Sequence, residues 1–358
     1  MLVVRSAVPM IQGRARNVTE RRALAGALGI GAGIGALALG GAMIARGRKG
    51  EEILRAADVG TARLFDAPDA EPDVLEIDTP DGARLHVRAW GPRDAEPLVL
   101  SHGWTCSIEY WYPQINAFAE NYRVIAYDQR GHGRSTLGAS VLSPQLLADD
   151  LAAVLAETVD PSSKAVLVGH SMGGMSIISF AERHPDLVDR YVHAVLLAST
   201  ATDSLVADSA LIPLPPRFPR IPQPVGRAII GSTIPFGSAP FAARAVKYVA
   251  LSPTATREQV EFCRSIVTAC HPRARGGWGT ALSALDVREG LHNLSVPTSV
   301  VVGTRDRLTP QTHARRLAAT LDEARHLDDL IVLDGVGHMS TVEAPDAVNE
   351  EILRLRKR

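Results

Sequence analysis

From residue 97 onward, short and wholly apolar runs alternate with longer stretches of helical period. Pro97-Leu98-Val99-Leu100-Ser101, Tyr122-Arg123-Val124-Ile125-Ala126-Tyr127, Val166-Leu167-Val168, Val192-His193-Ala194-Val195-Leu196-Leu197-Ala198, Thr298-Ser299-Val300-Val301-Val302-Gly303 and Leu330-Ile331-Val332-Leu333-Asp334 are short, mostly β-branched runs. That is the pattern of strands buried on both faces. Between them, 145–157 predicts a helix with Ser143 as N-cap and Pro144 at its first position. Met175 to Arg183 carries apolar groups at helical spacing until His184-Pro185 stops it. Further helices begin near Pro310 and Pro345. Upstream, 74–78 and 84–90 flank a turn at Pro80-Asp81-Gly82 and predict a β-hairpin. Alternating strands and helices of this kind imply an α/β protein with a mostly parallel sheet covered on both faces.

The rhythm fails between 201 and 291. Residues 212–224 are crowded with prolines and 233–241 are Gly/Pro-rich and apolar, while 241–251 and 256–269 read as helical. An insertion of this length after a strand end predicts a cap over an active site. The chain therefore divides into 1–45, a linker over 46–72 with a short helix near 51–57, a core of 73–200 and 292–358, and the cap at 201–291.

The start of the chain follows neither pattern. Residues 23–45 form an uncharged run of small and apolar residues, preceded by Arg21-Arg22 and followed by Arg46, Arg48 and Lys49. It is long enough to cross a bilayer, which takes ~20 residues. Gly29 and Gly33, and Gly31 and Gly35, have the spacing that lets membrane helices approach closely. The run predicts a membrane-associated protein that meets lipid through 23–45, with an export leader as the alternative. The dinucleotide-like Gly31-x-Gly33-x-x-Ala36 is set aside, because no strand precedes it.

Composition narrows the function classes. The chain has 358 residues, 46% hydrophobic and 22% charged, with a net charge of −1, so a broad basic surface for nucleic acid is not expected. Three cysteines, Cys106, Cys263 and Cys270, read as free thiols. No histidine or cysteine cluster has metal-ligand spacing, and no cofactor is expected.

The chemistry is concentrated at Val166-Leu167-Val168-Gly169-His170-Ser171-Met172-Gly173-Gly174. A strand enters Gly-x-Ser-x-Gly and a helix leaves it, which is the sequence form of a nucleophile elbow. A serine nucleophile needs a base, and the base needs an orienting acid. Asp306 follows one buried strand and His338 follows the last, giving the order serine, acid, histidine. Asp203, past the preceding strand, is the competing acid, and Asp306 has the alternative role of capping the next helix. His170 and His132 read as space-filling and turn residues. For an oxyanion site, one N–H is expected from Met172 at its helix start and one from Trp104 in Ser101-His102-Gly103-Trp104. Trp104, Tyr110 and Trp111 suggest an apolar substrate pocket.

Together, His102-Gly103-Trp104, Asp128-Gln129-Arg130-Gly131-His132-Gly133-Arg134-Ser135, Gly169 to Gly174, Gly303-Thr304-Arg305-Asp306 and Gly337-His338 with Glu343-x-Pro345 resemble the α/β-hydrolase fold family. The likeness is to its cap-bearing serine hydrolases, which include esterases, lipases and cofactor-free haloperoxidase-type enzymes. It implies an eight-stranded-type sheet, an inserted, largely helical cap and a triad of Ser171, Asp306 and His338. It further implies hydrolysis of a carboxylic ester through an acyl-enzyme; the aromatics after the oxyanion loop, the apolar cap and the run at 23–45 point to a hydrophobic or lipid-like substrate. Perhydrolase or thioesterase activity, or a non-catalytic binding role, are the alternatives. Serine at 171 argues against the branches that use an aspartate nucleophile.

Overall fold

The computed structural model describes residues 64–205, 231 and 242–358. Eight strands form one sheet: β1 (Asp73–Asp78), β2 (Arg84–Trp90), β3 (Pro97–Ser101), β4 (Arg123–Tyr127), β5 (Ala165–His170), β6 (Val192–Ala198), β7 (Thr298–Gly303) and β8 (Leu327–Leu333). Their spatial order is β1-β2-β4-β3-β5-β6-β7-β8. The hairpin β1–β2 is antiparallel, β2 meets β4 antiparallel, and every later pairing is parallel. The register sets Ser101 beside Gly169 and His170 beside Ala198, so the carboxyl ends of the central strands share one edge.

Strands β3, β5 and β7 are buried at every position, as wholly apolar runs require. Alternate residues of each strand feed opposite faces. Val99, Leu167, Leu197 and Val300 join one core cluster, with Leu147, Leu151 and Leu155 of helix α2 (Pro144–Thr158). Leu100, Val168, Leu196 and Val301 join the other, with Ile115 and Phe118 of α1 (Tyr112–Phe118). Helix α3 (Met172–Arg183) leaves β5 directly and ends at His184, where α4 (Pro185–Tyr191) begins. The remaining core helices are α8 (Gln311–Glu323), the short α9 (Ser340–Glu343) and α10 (Pro345–Arg356).

Within the inserted stretch, α5 (Ala242–Ala250), α6 (Arg257–Ala269) and α7 (Pro272–Leu282) are helical. Helix α6 starts on a capping box, in which Thr256 and Gln259 satisfy each other's backbone N–H groups. Helix α7 is anchored through two tryptophans. The Trp278 ring N–H donates to the Arg130 carbonyl at 2.8 Å and that of Trp104 to the Arg275 carbonyl at 3.0 Å. The Pro-rich and Gly/Pro-rich stretches 212–224 and 233–241 lie outside the described residues, as does the short helix expected near 51–57.

One expectation is corrected. Among the described residues no helix is long and apolar enough to cross a membrane, so the membrane-associated reading, with its lipid contact, is not supported. The 23–45 run behind it, and behind the leader alternative, lies outside the described residues. The linker expected over 46–72 is described only from Leu64, and its described part is mostly exposed apart from Phe65. Phe65 is buried, its ring 4.8 Å from that of Phe262 on α6, and the Asn116 amide donates to the Leu64 and Asp66 carbonyls.

Candidate active site

The elbow forms because two glycines let backbones meet. A methyl group at Gly169 would lie 2.6 Å from the Gly173 carbonyl oxygen, and one at Gly173 would lie 1.8 Å from that of Ser101. Both obstacles are backbone and cannot swing aside. Ser171 sits between them at φ 52°, ψ −118°, a conformation that costs a non-glycine residue ~1–3 kcal/mol and is held only by its surroundings. Those are the Ala198 carbonyl, which accepts the Ser171 N–H at 3.0 Å, and the Thr200 hydroxyl, which donates to the Ser171 carbonyl at 2.7 Å. Thr105 and Ser199, beyond the ends of β3 and β6, also have positive φ. Backbone strain thus gathers along the edge where the strands end.

Asp306 and His338, the candidate acid and base, lie in contact. His338 Nδ1 lies 2.9 Å from Asp306 Oδ2 and 3.0 Å from Oδ1, with both residues buried. The carboxylate is fixed from below. Its Oδ1 accepts the N–H groups of Leu308 at 2.9 Å and Thr309 at 2.8 Å, and its Oδ2 accepts the Thr309 hydroxyl at 2.8 Å. Asp306 therefore fills both roles open in the sequence, holding the backbone ahead of α8 and orienting His338. With Nδ1 donating to a carboxylate, the ring's basic lone pair is on Nε2. Asp203, the competing acid, is instead near Arg288 and Arg316, at 3.5 and 3.6 Å.

His170 links nucleophile and base. Its Nε2 donates to the His338 carbonyl at 2.9 Å, and its ring centre lies 4.9 Å from that of His338 and 4.7 Å from that of Tyr110. Burial, and then the neighbouring His338, pushes His170 well below 6.5, so it stays neutral. Its ring does more than occupy space.

The two expected oxyanion donors lie on segments that touch. Met172 opens α3, where N–H groups have no partner within the helix. Gly103, just before Trp104, is so close to the elbow that a methyl group there would lie 3.2 Å from Ser171 Cβ. This loop is held by neutral histidines. His102 Nε2 accepts the Gln129 N–H at 3.0 Å and its Nδ1 donates to the Gly103 carbonyl at 2.8 Å; His132 Nε2 accepts the Thr105 N–H at 3.2 Å. Burial lowers them to about 3 and about 4, respectively. Gln129 donates to the His102 carbonyl and accepts the Ser176 hydroxyl from α3 at 2.8 Å, tying loop to helix.

Trp104 is partly buried against the first core cluster. Tyr110 and Trp111 are not pocket residues: both are fully buried in the second cluster. The turn of 3-10 helix over Ile108–Trp111 rotates them inward, and their role is packing rather than substrate contact. Thr309 and Gln129 escaped notice in the sequence. Thr309 was within reach, since a threonine three residues after an aspartate is a common local hydrogen-bonding arrangement. Gln129 lies in the Asp128–Ser135 motif, but its role across the fold could not be read from that stretch alone.

Comparison with known proteins agrees with this architecture. The family model described as "Alpha/beta hydrolase family" matches residues 98–351. The chain is 29% identical over 295 residues to a non-heme chloroperoxidase of Streptomyces lividans, a match covering 78% of this chain and 99% of that protein. It is 40% identical over 124 residues to a bifunctional esterase/perhydrolase of Acinetobacter calcoaceticus, covering 34% of this chain and 44% of that protein. Among solved structures, an esterase from a Rhodococcus species superposes with a TM-score of 0.64 at 23% identity, over 79% of this chain and 98% of that one, a likeness of fold. With its eight-stranded sheet and a family match over most of its length, the chain belongs to the alpha/beta hydrolase family.

Proposed function

We propose that this protein is a serine hydrolase that cleaves carboxylic esters of small molecules through an acyl-enzyme on Ser171. The observation that carries the reading is the Asp306–His338 pair, buried and locked by Thr309, on the same sheet edge as a strained serine. Ser171 Oγ attacks the ester carbonyl while His338 Nε2 takes its proton. The N–H groups of Met172 and Trp104 receive the negative charge that develops on the carbonyl oxygen. The tetrahedral intermediate collapses, and the alkoxide leaves with the proton from His338. Water then attacks the acyl-enzyme, giving a proton to His338, which returns it to Ser171 Oγ as the carboxylic acid leaves and the free enzyme is restored. Proton transfer by a positioned histidine is worth ~10²–10⁴ in rate, and each oxyanion donor ~10²–10³.

The core is assigned to 73–200 and 292–358 and the cap to 201–291. Contacts of Arg275 with Trp104 and of Ala250 with the His338 backbone support a cap lying against the Ser171 edge. The partly buried Trp104 beside the elbow favours esters with an apolar group. Ser171→Ala should reduce hydrolysis of p-nitrophenyl esters by ~10⁴-fold or more, and a fluorophosphonate should label Ser171. Near-wild-type hydrolysis by the alanine variant, or labelling at another residue, would overturn the assignment.

A second reading draws on the relatives, one an esterase/perhydrolase and another a chloroperoxidase. Hydrogen peroxide attacking the same acyl-enzyme in place of water would release a peracid, with the same residues in the same roles. Peracid formation that depends on both peroxide and a carboxylic acid, and that is lost in Ser171→Ala, distinguishes this activity.

A further inference from the structure

The loop carrying His338 is not fixed by the sheet alone. The N–H groups of His338 and Met339 both donate to the Ala250 carbonyl, at 2.9 and 3.1 Å, at the end of α5 in the inserted stretch. Beside that contact stands the carboxylate of Glu343. Its Oε1 accepts the Gly337 N–H at 3.0 Å and its Oε2 accepts the Ser252 N–H at 2.8 Å. One side chain therefore spans two segments, the residue before the base and the first turn beyond α5. The fit is tight. A methyl group at Gly337 would lie 2.6 Å from Glu343 Oε1 and equally close to the Leu251 carbonyl carbon and the Ser252 nitrogen. Gln259 of α6 reinforces the junction, donating to the Val342 carbonyl at 3.1 Å.

An ionised carboxylate has only acceptors, so it suits two converging N–H groups. An amide of the same shape offers one acceptor and one donor, and its NH2 would face an N–H. Ser252 and Ala250 belong to the insertion, whereas Gly337 and His338 follow β8. The side-chain bond and the backbone bonds cross the same boundary.

We propose that Glu343 is a positioning residue that couples the inserted segment to the catalytic base, so that the placement of His338 depends on α5 staying docked. This rests on the assignment of His338 as the base. The insertion then acts as a post against which the histidine loop is set, as well as a cover.

The test uses the full chain and three measurements on Glu343→Gln: ester turnover, hydrogen–deuterium exchange and the thermal midpoint. Exchange should accelerate together in the segments around Ala250 to Ala255 and Gly337 to Met339. The value of kcat should fall by about 10- to 100-fold, because misplacing a catalytic group by ~1 Å costs about that much, while KM changes little. Glu343→Asp keeps the charge and shortens the reach, so it should fall between wild type and Glu343→Gln, and it serves if the glutamine variant does not fold. The inference fails if exchange rises on one side only, or if kcat of the folded protein is unchanged despite a lower thermal midpoint. It also fails if the aspartate variant is the worse of the two. Should wild-type Ser171 resist fluorophosphonate, the base assignment falls, and the exchange measurement still decides whether Glu343 couples the two segments.

Discussion

The elbow and the base loop place two halves of the same chemistry by different means. The elbow is nearly self-contained. Gly169 and Gly173 permit its turn, and the neighbouring strand ends at Ser101 and Ala198 hold it through backbone contacts. The base loop borrows its position. His338 donates to the Asp306 carboxylate beyond β7 and, through its backbone N–H, to the Ala250 carbonyl at the end of α5; its own carbonyl accepts from His170, and Glu343 acts at one remove through Gly337. A serine turn built into the sheet edge rests on few other segments. A base assembled from distant segments responds to each of them.

The largest expected effect lies on the borrowed side. In Asp306→Asn the amide oxygen can still accept the N–H groups of Leu308 and Thr309, but an NH2 then meets His338 Nδ1. The ring is driven toward the tautomer that leaves no lone pair on Nε2 for Ser171. A loss of ~10³–10⁴ in kcat is expected, with a thermal midpoint close to wild type. Activity within tenfold of wild type would show that Asp306 does not orient the base, and the comparison would collapse.

The next effect probes the self-contained side. Gly173→Ala forces a methyl group against the Ser101 and His102 carbonyls, 1.8 and 2.8 Å away. Overpacking against immovable backbone costs ~1–3 kcal/mol or more, so the thermal midpoint should fall by several degrees. Because the obstructed loop leads to Trp104, kcat should also fall by ~10–100-fold. Here stability and activity fall together, whereas in Asp306→Asn they separate. If Gly173→Ala is stable and active, the elbow is looser than its contacts imply.

The same contrast explains what could be read from the sequence. The elbow turn and the strands are local patterns, and the fold matched them; Asp306 and His338, paired by chain order in the sequence, lie 2.9 Å apart. Strand β8 begins at Leu327 rather than Leu330 because its first residues, Asp328 and Asp329, belong to a sheet edge where polar side chains are tolerated. Helix α7 went unseen because Gly276 and Gly277 weaken any helical pattern. Burial of Trp278 and its bond to the Arg130 carbonyl outweigh that penalty, and Leu142 packs where a side chain at Gly277 would stand. Tyr110 and Trp111 looked like pocket residues because aromatics near an oxyanion loop carry no mark of which way they face. The contacts that set His338 involve backbone groups of Ala250 and Ser252, and backbone groups leave no trace in residue identity.

The smallest effect concerns the loop beneath the oxyanion donors, where the elbow side has its own long-range dependence. His102 and His132 each use Nε2 to accept a backbone N–H, from Gln129 and Thr105. Protonation would set N–H against N–H. Burial holds the two rings at about 3 and about 4 in the folded protein, below the ordinary 6.5. A lowered value means that the unfolded chain binds protons that the folded one refuses. The stability from each ring is thus complete above pH 6.5 and is lost as pH falls toward its folded value, at up to ~1.4 kcal/mol per pH unit. Asp128, raised to about 6 mainly by burial, works in the opposite direction. It is protonated in the folded state first, so its term favours the fold as pH drops through 6 toward its ordinary 3.8. The two histidines' own contribution to the thermal midpoint should therefore fall between pH 6.5 and 4.5. In His132→Gln, whose amide oxygen can accept the Thr105 N–H without titrating, that fall should be shallower by up to one proton's worth. An unchanged slope would show that His132 does not carry the acid sensitivity.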